Sequence, residues 1–354
     1  MKNNSTFNKF IVWVLAAGLI MAVGVTIIVA YVDPFFHYHK PLEWFPYQVD
    51  NQLTQNPGMA MHMDYDAAIL GSSMTVNFNT NWFMEEMGLE TIKLSSSGAY
   101  PRDISNIMGV VFDYHPETKV IFLGVDVINY SAATDTTKYP LPKHLYDKNL
   151  LNDVSYVFNK DVVVDYILRP LADPEPTDLA TIYSSWWTDE YYNIQWVMHN
   201  YEPAMVCLEE APRTYFEEGI IDNMNTNIIP YIENNPDCEF IIFYPPYSIL
   251  FWNDVLNRNQ LEATLYEYEL ISDMLMPYDN VSIYFFADEE DIITDLNNYA
   301  DYTHYHPDYN HYMTKCFADG TDRASDHEEV MAHIEHMREV ALDFDYDEIL
   351  SQEW

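Results

Sequence analysis

The chain is poor in cysteine. Only three cysteines, Cys207, Cys238 and Cys316, occur among the 354 residues. An odd count allows at most one disulfide, and no pair has the short spacing that is typical of metal ligands. A disulfide scaffold and a cysteine-ligated metal centre are therefore excluded, and we expect no cofactor. Cys238 precedes a predicted strand and Cys316 lies on a predicted helix, so we interpret both as small buried hydrophobic residues.

Basic residues are also scarce. The chain has 16 Lys and Arg against 56 Asp and Glu, which gives a formal net charge of -40 at pH 7. Nucleic acid is a polyanion whose binding needs clustered Lys and Arg, so this class of partner is excluded. We interpret this acidity as a source of solubility on the cell exterior, because a large net charge keeps a protein in solution.

Long hydrophobic runs are rare, with one exception near the N-terminus. Residues 10–32 contain no charged side chain, and a helix of that length crosses a bilayer at about 1.5 Å per residue. Lys2 and Lys9 precede the run and predict a cytoplasmic tail over 1–9. We therefore expect a single-pass protein of the cell membrane with its C-terminal domain outside. A cleaved signal peptide is the alternative, but the run is long and no small-x-small cleavage site follows it.

Residues 33–63 are rich in aromatic residues and proline, and they predict a juxtamembrane connector. Trp44 and Tyr47 are of the types that favour a membrane–water interface. His37 and His39 alternate without further ligands nearby, so we interpret them as neighbours of the aromatic residues and not as a metal site.

From residue 64 to 354, short apolar runs alternate with helix-length segments. This pattern predicts βαβ units and one α/β domain whose parallel sheet is covered by helices on both faces. Residues 132–212 interrupt the pattern, and we interpret them as an insertion beside the active face. The predicted strands are 67–70, 91–94, 119–125, 239–244 and 281–286, and the predicted helices are 101–114, 214–234, 261–276 and 326–342.

One predicted strand ends in a glycine and two serines. Residues 67–70 are followed by Gly71, Ser72 and Ser73. Ligands of parallel α/β sheets bind beyond the carboxyl ends of the strands, so Ser73 stands where a nucleophile is expected. Gly71 gives the backbone room for a sharp turn. The alternative is an ordinary strand-to-helix turn with a serine N-cap.

A second informative stretch follows the last predicted strand. Asp301 lies three residues before His304, a spacing that lets the carboxylate accept a hydrogen bond from one ring nitrogen while the other faces a nucleophile. A solvated turn is the alternative. A metal site formed by His304, His306, Asp308 and His311 is a further alternative, but His306 and His311 lie five residues apart and point to different faces of a helix.

These two stretches resemble the first and last blocks of the SGNH (GDSL-like) hydrolase superfamily. Gly98 is placed where the family has its oxyanion-hole glycine, and Gly124-Val125-Asp126 where it has Gly-x-Asn. The resemblance covers roughly residues 65–340 apart from the insertion. It implies a flavodoxin-like three-layer α/β sandwich. It also implies that Ser73 is the nucleophile, His304 the general base and acid, and Asp301 the residue that orients the imidazole.

The implied mechanism proceeds through an acyl-serine intermediate, with backbone N–H groups of Ser73 and Gly98 facing the oxyanion. The sequence departs from the family at two places: Ser72 replaces an aspartate, and Asp126 replaces the asparagine. When ionised, the Asp126 carboxylate has no proton to donate to the oxyanion. Only a protonated Asp126 could act as a donor in the oxyanion hole. Three alternatives follow for the oxyanion hole. Asn129 or another residue supplies the missing donor, or the two backbone donors suffice, or the enzyme is impaired.

Membrane-anchored members that serve teichoic-acid D-alanylation and alginate O-acetylation also lack the standard asparagine block. The resemblance therefore implies an extracytoplasmic serine esterase or O-acyltransferase that acts on acyl esters of a cell-envelope glycan or polymer. A membrane-bound acyltransferase is an implied partner. The alternative is a catalytically impaired surface protein of the same fold that binds glycan through an insertion containing Trp186 and Trp187, or binds an acyltransferase partner.

Overall fold

The computed structural model describes residues 2–184, 188–352 and 354, so Trp186 and Trp187 lie outside the described residues. The chain divides into two compact units. The anchor unit comprises Met1–Met63 and Leu141–Leu179, and the sheet unit comprises Asp64–Pro140 and Ala180–Trp354.

Helices occur in both units. In the described residues, the segment Thr6–Val32 is long and apolar enough to cross a membrane. The α-helices are α1 Lys2–Val32, α2 Gln52–His62, α3 Thr80–Met87, α4 Pro101–Tyr114, α5 Val127–Tyr130, α6 Val154–Val157, α7 Lys160–Val163, α8 Arg169–Ala172, α9 Ile194–Asn200, α10 Glu217–Asn223, α11 Ile229–Asn234, α12 Ile249–Asn257, α13 Leu261–Leu275, α14 Glu290–Ile293, α15 Pro307–Asp319, α16 His327–Asp343 and α17 Tyr346–Leu350.

Within its described residues, the sheet unit is built on six strands in the order β2-β1-β3-β4-β5-β6. All neighbours pair in parallel except β5 and β6. The predicted α/β class with a mostly parallel sheet is therefore confirmed, whereas the short antiparallel edge strand was not predicted. The strands are β1 Ala67–Leu70, β2 Thr91–Lys93, β3 Val120–Gly124, β4 Glu239–Tyr244, β5 Val281–Phe285 and β6 Arg323–Ala324.

The register brings the carboxyl ends of the central strands level with one another. Leu70 of β1 lies opposite Leu123 of β3, and Ile69 lies opposite Lys93 of β2. The loops that follow these three strands therefore emerge side by side. β1 and β3 are buried along their whole length, as their nearly continuous apolar runs predict for strands that are covered on both faces.

The predicted helix over 214–234 is wrong in detail. The structure begins the helix at Glu217 and divides it into α10, a π-helical turn over Met224–Ile228, and α11. Pro230 lies in the first turn of α11 and has no N–H to donate to an α-helical carbonyl four residues earlier, so the regular hydrogen-bond ladder cannot run through it. The other three predicted helices match α4, α13 and α16 within one residue.

All three cysteines are free thiols. Cys238 and Cys316 are buried, as predicted, and Cys207 is exposed. Burial raises the pKa of each buried thiol to about 12. Both side chains therefore pack as small buried groups, and the Cys316 thiol also donates to Asp322 Oδ2 at 3.4 Å.

The buried Lys93 joins β2 to the loop that follows β1. Its Nζ donates to the carbonyl oxygens of Val76 at 2.5 Å and Phe78 at 2.7 Å, and to Ser184 Oγ at 2.9 Å. A lysine without exposed surface holds its position only through such hydrogen bonds. The loop after β1 is thereby fixed against the neighbouring strand.

Carboxylates cluster beyond the end of β5. Tyr312 donates to Asp322 at 2.8 Å and to Glu289 at 3.3 Å, and His333 Nδ1 lies 2.8 Å from Asp288 Oδ2. Burial, followed by the charges of Asp322 and Asp288, raises the pKa of Glu289 to about 7. The folded chain therefore favours the protonated form of Glu289.

We expect Glu289→Gln to flatten the pH dependence of stability. Because the folded-state pKa of Glu289 lies above its ordinary value of 4.5, stability is lost as pH rises through the interval between the two values. The variant should gain about 1–2 kcal/mol in free energy of unfolding relative to wild type between about pH 5 and pH 8, after allowance for solvent screening. Denaturant unfolding of the full chain in detergent measures this. The exposed neighbour Glu290→Gln is the control, and an unchanged pH dependence in Glu289→Gln would contradict the assignment.

Candidate active site

The turn after β1 presents Ser73. Gly71 has φ +144°, and a Cβ there would lie 2.6 Å from Thr75 Cγ2 and 3.1 Å from the Gly124 carbonyl oxygen. The close approach to the end of β3 therefore requires glycine. Ser72 is the N-cap of the short 3₁₀ turn over Ser73–Thr75, and its side chain accepts from the Met74 N–H. The capping role falls to Ser72, and the Ser73 hydroxyl is left for other contacts.

A tight loop presents His304 to this turn. Tyr299 and Tyr305 form an antiparallel bridge, and the Ala300 N–H donates to the His304 carbonyl at 2.9 Å. Inside the loop, Asp301 Oδ1 accepts from the backbone N–H groups of Thr303 and His304, each at 2.8 Å. These bonds fix the carboxylate relative to the histidine backbone.

The three predicted residues are connected by hydrogen bonds. His304 Nδ1 lies 2.7 Å from Asp301 Oδ2, and His304 Nε2 lies 2.8 Å from Ser73 Oγ. Both distances lie within the range for a nucleophile–base–orienter arrangement. The imidazole and the carboxylate are partly buried, with 20% and 31% of their side chains exposed. The site is therefore open to solvent and to a substrate.

Asp301 is held in its ionised form. Burial opposes ionisation, but the hydrogen bond and charge of His304, together with the backbone N–H groups of His304 and Thr303, outweigh it and lower the pKa of Asp301 to about 2. An ionised carboxylate accepts a hydrogen bond from the Nδ1–H of a neutral imidazole, so Nε2 carries the lone pair that faces Ser73.

Two side chains that the sequence interpretation missed connect the histidine loop to the serine turn. Tyr305, next to His304, donates its hydroxyl proton to the Met74 carbonyl at 2.7 Å. Asn310 Nδ2 reaches the same oxygen at 3.5 Å. Both residues are buried. A polar aromatic residue directly after the histidine is the only signal in the sequence that points to this contact.

Gly98 lies on the loop after β2, beside the serine turn. The Ser96 N–H donates to the Gly71 carbonyl at 2.9 Å, and Thr75 Oγ1 donates to Ser95 Oγ at 2.6 Å. Gly98 has φ +68°, a left-handed conformation that favours glycine. The structure thus places Gly98 and Ser73 on adjacent loops at the same sheet edge.

The side chain of Lys138 covers Gly98. A Cβ built on Gly98 would lie 3.1 Å from Lys138 Cε and 3.3 Å from its Nζ. Lys138 is exposed, and its charge reaches this loop in a strongly acidic chain. The sequence interpretation missed Lys138, because it lies in the irregular stretch interpreted as an insertion and no motif marks it.

Asp126 is buried at the N-cap of α5, behind the serine turn. Burial raises its pKa, and hydrogen bonds from Ser72 and Tyr247 and the charge of His304 act in the opposite direction. The Tyr247 hydroxyl donates to Asp126 Oδ1. Asn129, one of the alternative donors that the sequence offers, donates an Nδ2–H to the Ala99 carbonyl at 3.1 Å. Asn129 therefore supports the Gly98 loop.

The histidines near the site make separate contacts. His306 caps α15 and lies 3.8 Å from Asp189, whereas His311 stacks on Trp82 with ring centroids 4.6 Å apart. In the part of the chain that the structure describes, no group of three or more His, Cys, Asp or Glu side chains is arranged to hold a metal ion.

The fold and the site together define an α/β protein with a hydrogen-bonded Ser-His-Asp arrangement at the carboxyl edge of a mostly parallel sheet. Comparisons of the chain with protein-family models, with curated proteins and with solved structures found no match.

We expect Asp126 to be a neutral carboxylic acid at pH values where an ordinary aspartate is ionised. Its burial favours the uncharged form more than its two hydroxyl partners favour the charged one. Infrared difference spectra of wild type against Asp126→Asn, recorded in steps of rising pH from the acid range, should show a protonated-carboxyl C=O band that the variant lacks and that persists above the pH at which an ordinary aspartate ionises. Asp308→Asn, which changes an exposed carboxylate, is the control and should retain the band. Identical spectra for wild type and Asp126→Asn would show that Asp126 is ionised.

Proposed function

We propose that the chain is an extracytoplasmic serine esterase or O-acyltransferase of the SGNH (GDSL-like) type, acting on acyl esters of a cell-envelope glycan or polymer. The observation that carries the proposal is the hydrogen-bonded series Asp301–His304–Ser73, with distances of 2.7 and 2.8 Å. The strand order supports it as well, because the first five strands follow the 2-1-3-4-5 order of flavodoxin-like sheets.

The geometry supports a two-step acyl transfer. Ser73 Oγ attacks the ester carbonyl carbon while His304 Nε2 takes the hydroxyl proton. When the tetrahedral intermediate collapses, the carbon–oxygen bond to the alcohol breaks and His304 returns the proton to the departing oxygen. Water or a glycan hydroxyl then attacks the acyl-serine by the same route, and Ser73 is regenerated.

Charge that develops on the carbonyl oxygen needs stabilisation on the Gly98 side of the site. Backbone N–H groups of Ser73 and Gly98 serve as donors in this proposal, and one such donor contributes about 3 kcal/mol. Lys138 places an ammonium group beside Gly98, which favours negative charge there. A neutral Asp126 would not repel the oxyanion, so the substitution of the family's asparagine is compatible with activity.

The hydrogen bond between Ser73 and His304 also favours a catalytic function over a binding function. A protein that only binds glycan has no need for a hydrogen bond between the Ser73 hydroxyl and the His304 imidazole. The extracytoplasmic location in this proposal is supported by the apolar helix Thr6–Val32 and by Lys2 and Lys9 at the N-terminal end of α1, which favour a cytoplasmic N-terminus. A membrane-bound acyltransferase that supplies the acyl group is the partner this topology would suit.

We expect Ser73→Ala to abolish acyl-ester turnover by the full chain. The loss in kcat on a short activated ester should be at least about 10³-fold, because no nucleophile remains to form the acyl-serine. Mass spectrometry of wild type after incubation with the ester should locate an acyl group on Ser73. Ser325→Ala, which removes an exposed serine hydroxyl elsewhere in the sheet unit, should retain both turnover and adduct.

The outcome separates the two functions that the sequence left open. Turnover and an adduct that disappear in Ser73→Ala support the serine mechanism. A folded wild-type chain that shows neither, with or without a polyol acceptor, contradicts catalysis and favours a binding role.

We expect Asp301→Asn to lower kcat by roughly 10³- to 10⁴-fold with little change in KM. The amide presents an N–H to His304 Nδ1, which favours the tautomer whose Nε2 proton points at Ser73 and cannot act as a base. Steady-state kinetics on the same ester measures this. Asp308→Asn, which alters the carboxylate beside His306, is the matched control, and an equal loss in both variants would contradict an orienting role for Asp301.

A further inference from the structure

The negative charge of the chain is distributed unevenly between the two units. The sheet unit contains nine Lys and Arg against forty-six Asp and Glu, whereas the anchor unit contains seven against ten. An anionic membrane surface repels a strongly acidic protein and tolerates a nearly neutral one. The anchor unit is therefore repelled by an anionic membrane surface much less than the sheet unit is.

The anchor unit also exposes large apolar side chains far from α1 in sequence. Leu150, Leu151, Val154 and Phe158 have 68%, 88%, 62% and 51% of their surface exposed. They lie in and around α6. Single exposed apolar residues are ordinary on protein surfaces, but four within nine positions form a patch.

The helical segment after α6 extends this patch. Val164, Leu168 and Leu171 are exposed and lie along the helical run from α7, through a π-helical turn over Val164–Leu168, to α8. Val162 and Ile167 of the same run are buried in the anchor unit. The run therefore buries some of its apolar side chains in the protein interior and exposes others, together with charged side chains such as Lys160 and Arg169.

Hydrogen bonds hold this region beside the end of α1. Tyr156 of α6 donates its hydroxyl proton to Asp33 Oδ1 at 2.8 Å and accepts from the Phe35 N–H at 3.1 Å. Tyr38 donates to Asp153 at 3.1 Å. Asp33 directly follows Val32, the last residue of the apolar span. The exposed patch and the exit point of the span are thus parts of one packed structure.

We propose that residues 150–171, which we call the apolar collar, lie in the interface of the bilayer that α1 crosses. The collar is continuous with the span through Tyr156 and Asp33, and the anchor unit carries little net charge. Its apolar side chains would enter the boundary between headgroups and acyl chains, roughly 5–10 Å deep. Lys160 and Arg169 on the same run are exposed and place their charged ends at headgroup level, Arg169 together with its ion-pair partner Asp165 at 2.7 Å. The collar serves as a second membrane contact beside α1.

Site-specific fluorescence in lipid vesicles tests this proposal. The full chain is reconstituted in phosphatidylcholine–phosphatidylglycerol vesicles that contain nitroxide-labelled lipid. An environment-sensitive dye is attached to Leu151→Cys or Phe158→Cys in a Cys207→Ser background. Native Cys207, beside the exposed Leu208, is the matched control in the sheet unit. Leu19→Cys within α1 is the positive control for insertion.

Dyes at 151 and 158 should show a blue-shifted emission and several-fold stronger quenching than the dye at Cys207. Shallow nitroxides should quench them more than deep ones, whereas the dye at 19 should show the reverse order. Quenching at 151 and 158 no greater than at Cys207, in vesicles where the dye at 19 is quenched, would overturn the proposal and assign the collar to a protein partner. Circular dichroism of each labelled chain shows that it is folded.

Discussion

Hydrogen bonding to the Asp301 carboxylate is the constraint on which the arrangement of the site depends. One oxygen accepts from the backbone of Thr303 and His304, and the other faces His304 Nδ1. The backbone hydrogen bonds fix the loop, and the hydrogen bond to Nδ1 fixes the orientation of the imidazole ring. Ser73 precedes His304 by 231 positions in the sequence, so the sheet must bring the two loops together. The Tyr305 contact with the Met74 carbonyl then joins them directly.

Much of the sheet and the site could be predicted because the signals are local. A run of apolar residues that ends at a glycine indicates a buried strand and a turn, and β1 with Gly71 follows that pattern. Asp301 and His304 lie three residues apart, so one loop positions both. The helices α4, α13 and α16 show the usual period over several turns, which fixes their type and nearly their bounds.

The remaining features arise from contacts between residues that are distant in sequence. Lys138 reaches Gly98 only because the chain returns over the loop after β2, and no local pattern marks that return. β6 has two residues, too few for any periodicity. The turn within 224–228 depends on where Pro230 interrupts a helix that is otherwise amphipathic. Likewise, the grouping of residues 141–179 with the N-terminal segment depends on buried polar partners such as Tyr156 and Asp33, and hydrophobic periodicity carries no information about such partners.

The state of the cysteines has a consequence for how the chain matures. Cys238 and Cys316 are buried, and pKa values of about 12 keep both thiols protonated, which makes them poor nucleophiles for disulfide exchange and poor substrates for oxidation. Folding therefore needs no oxidase or disulfide isomerase. Of the three thiols only that of Cys207 is exposed to an oxidant, so the packing around the two buried cysteines is the same whether the chain is in a reducing or an oxidising compartment.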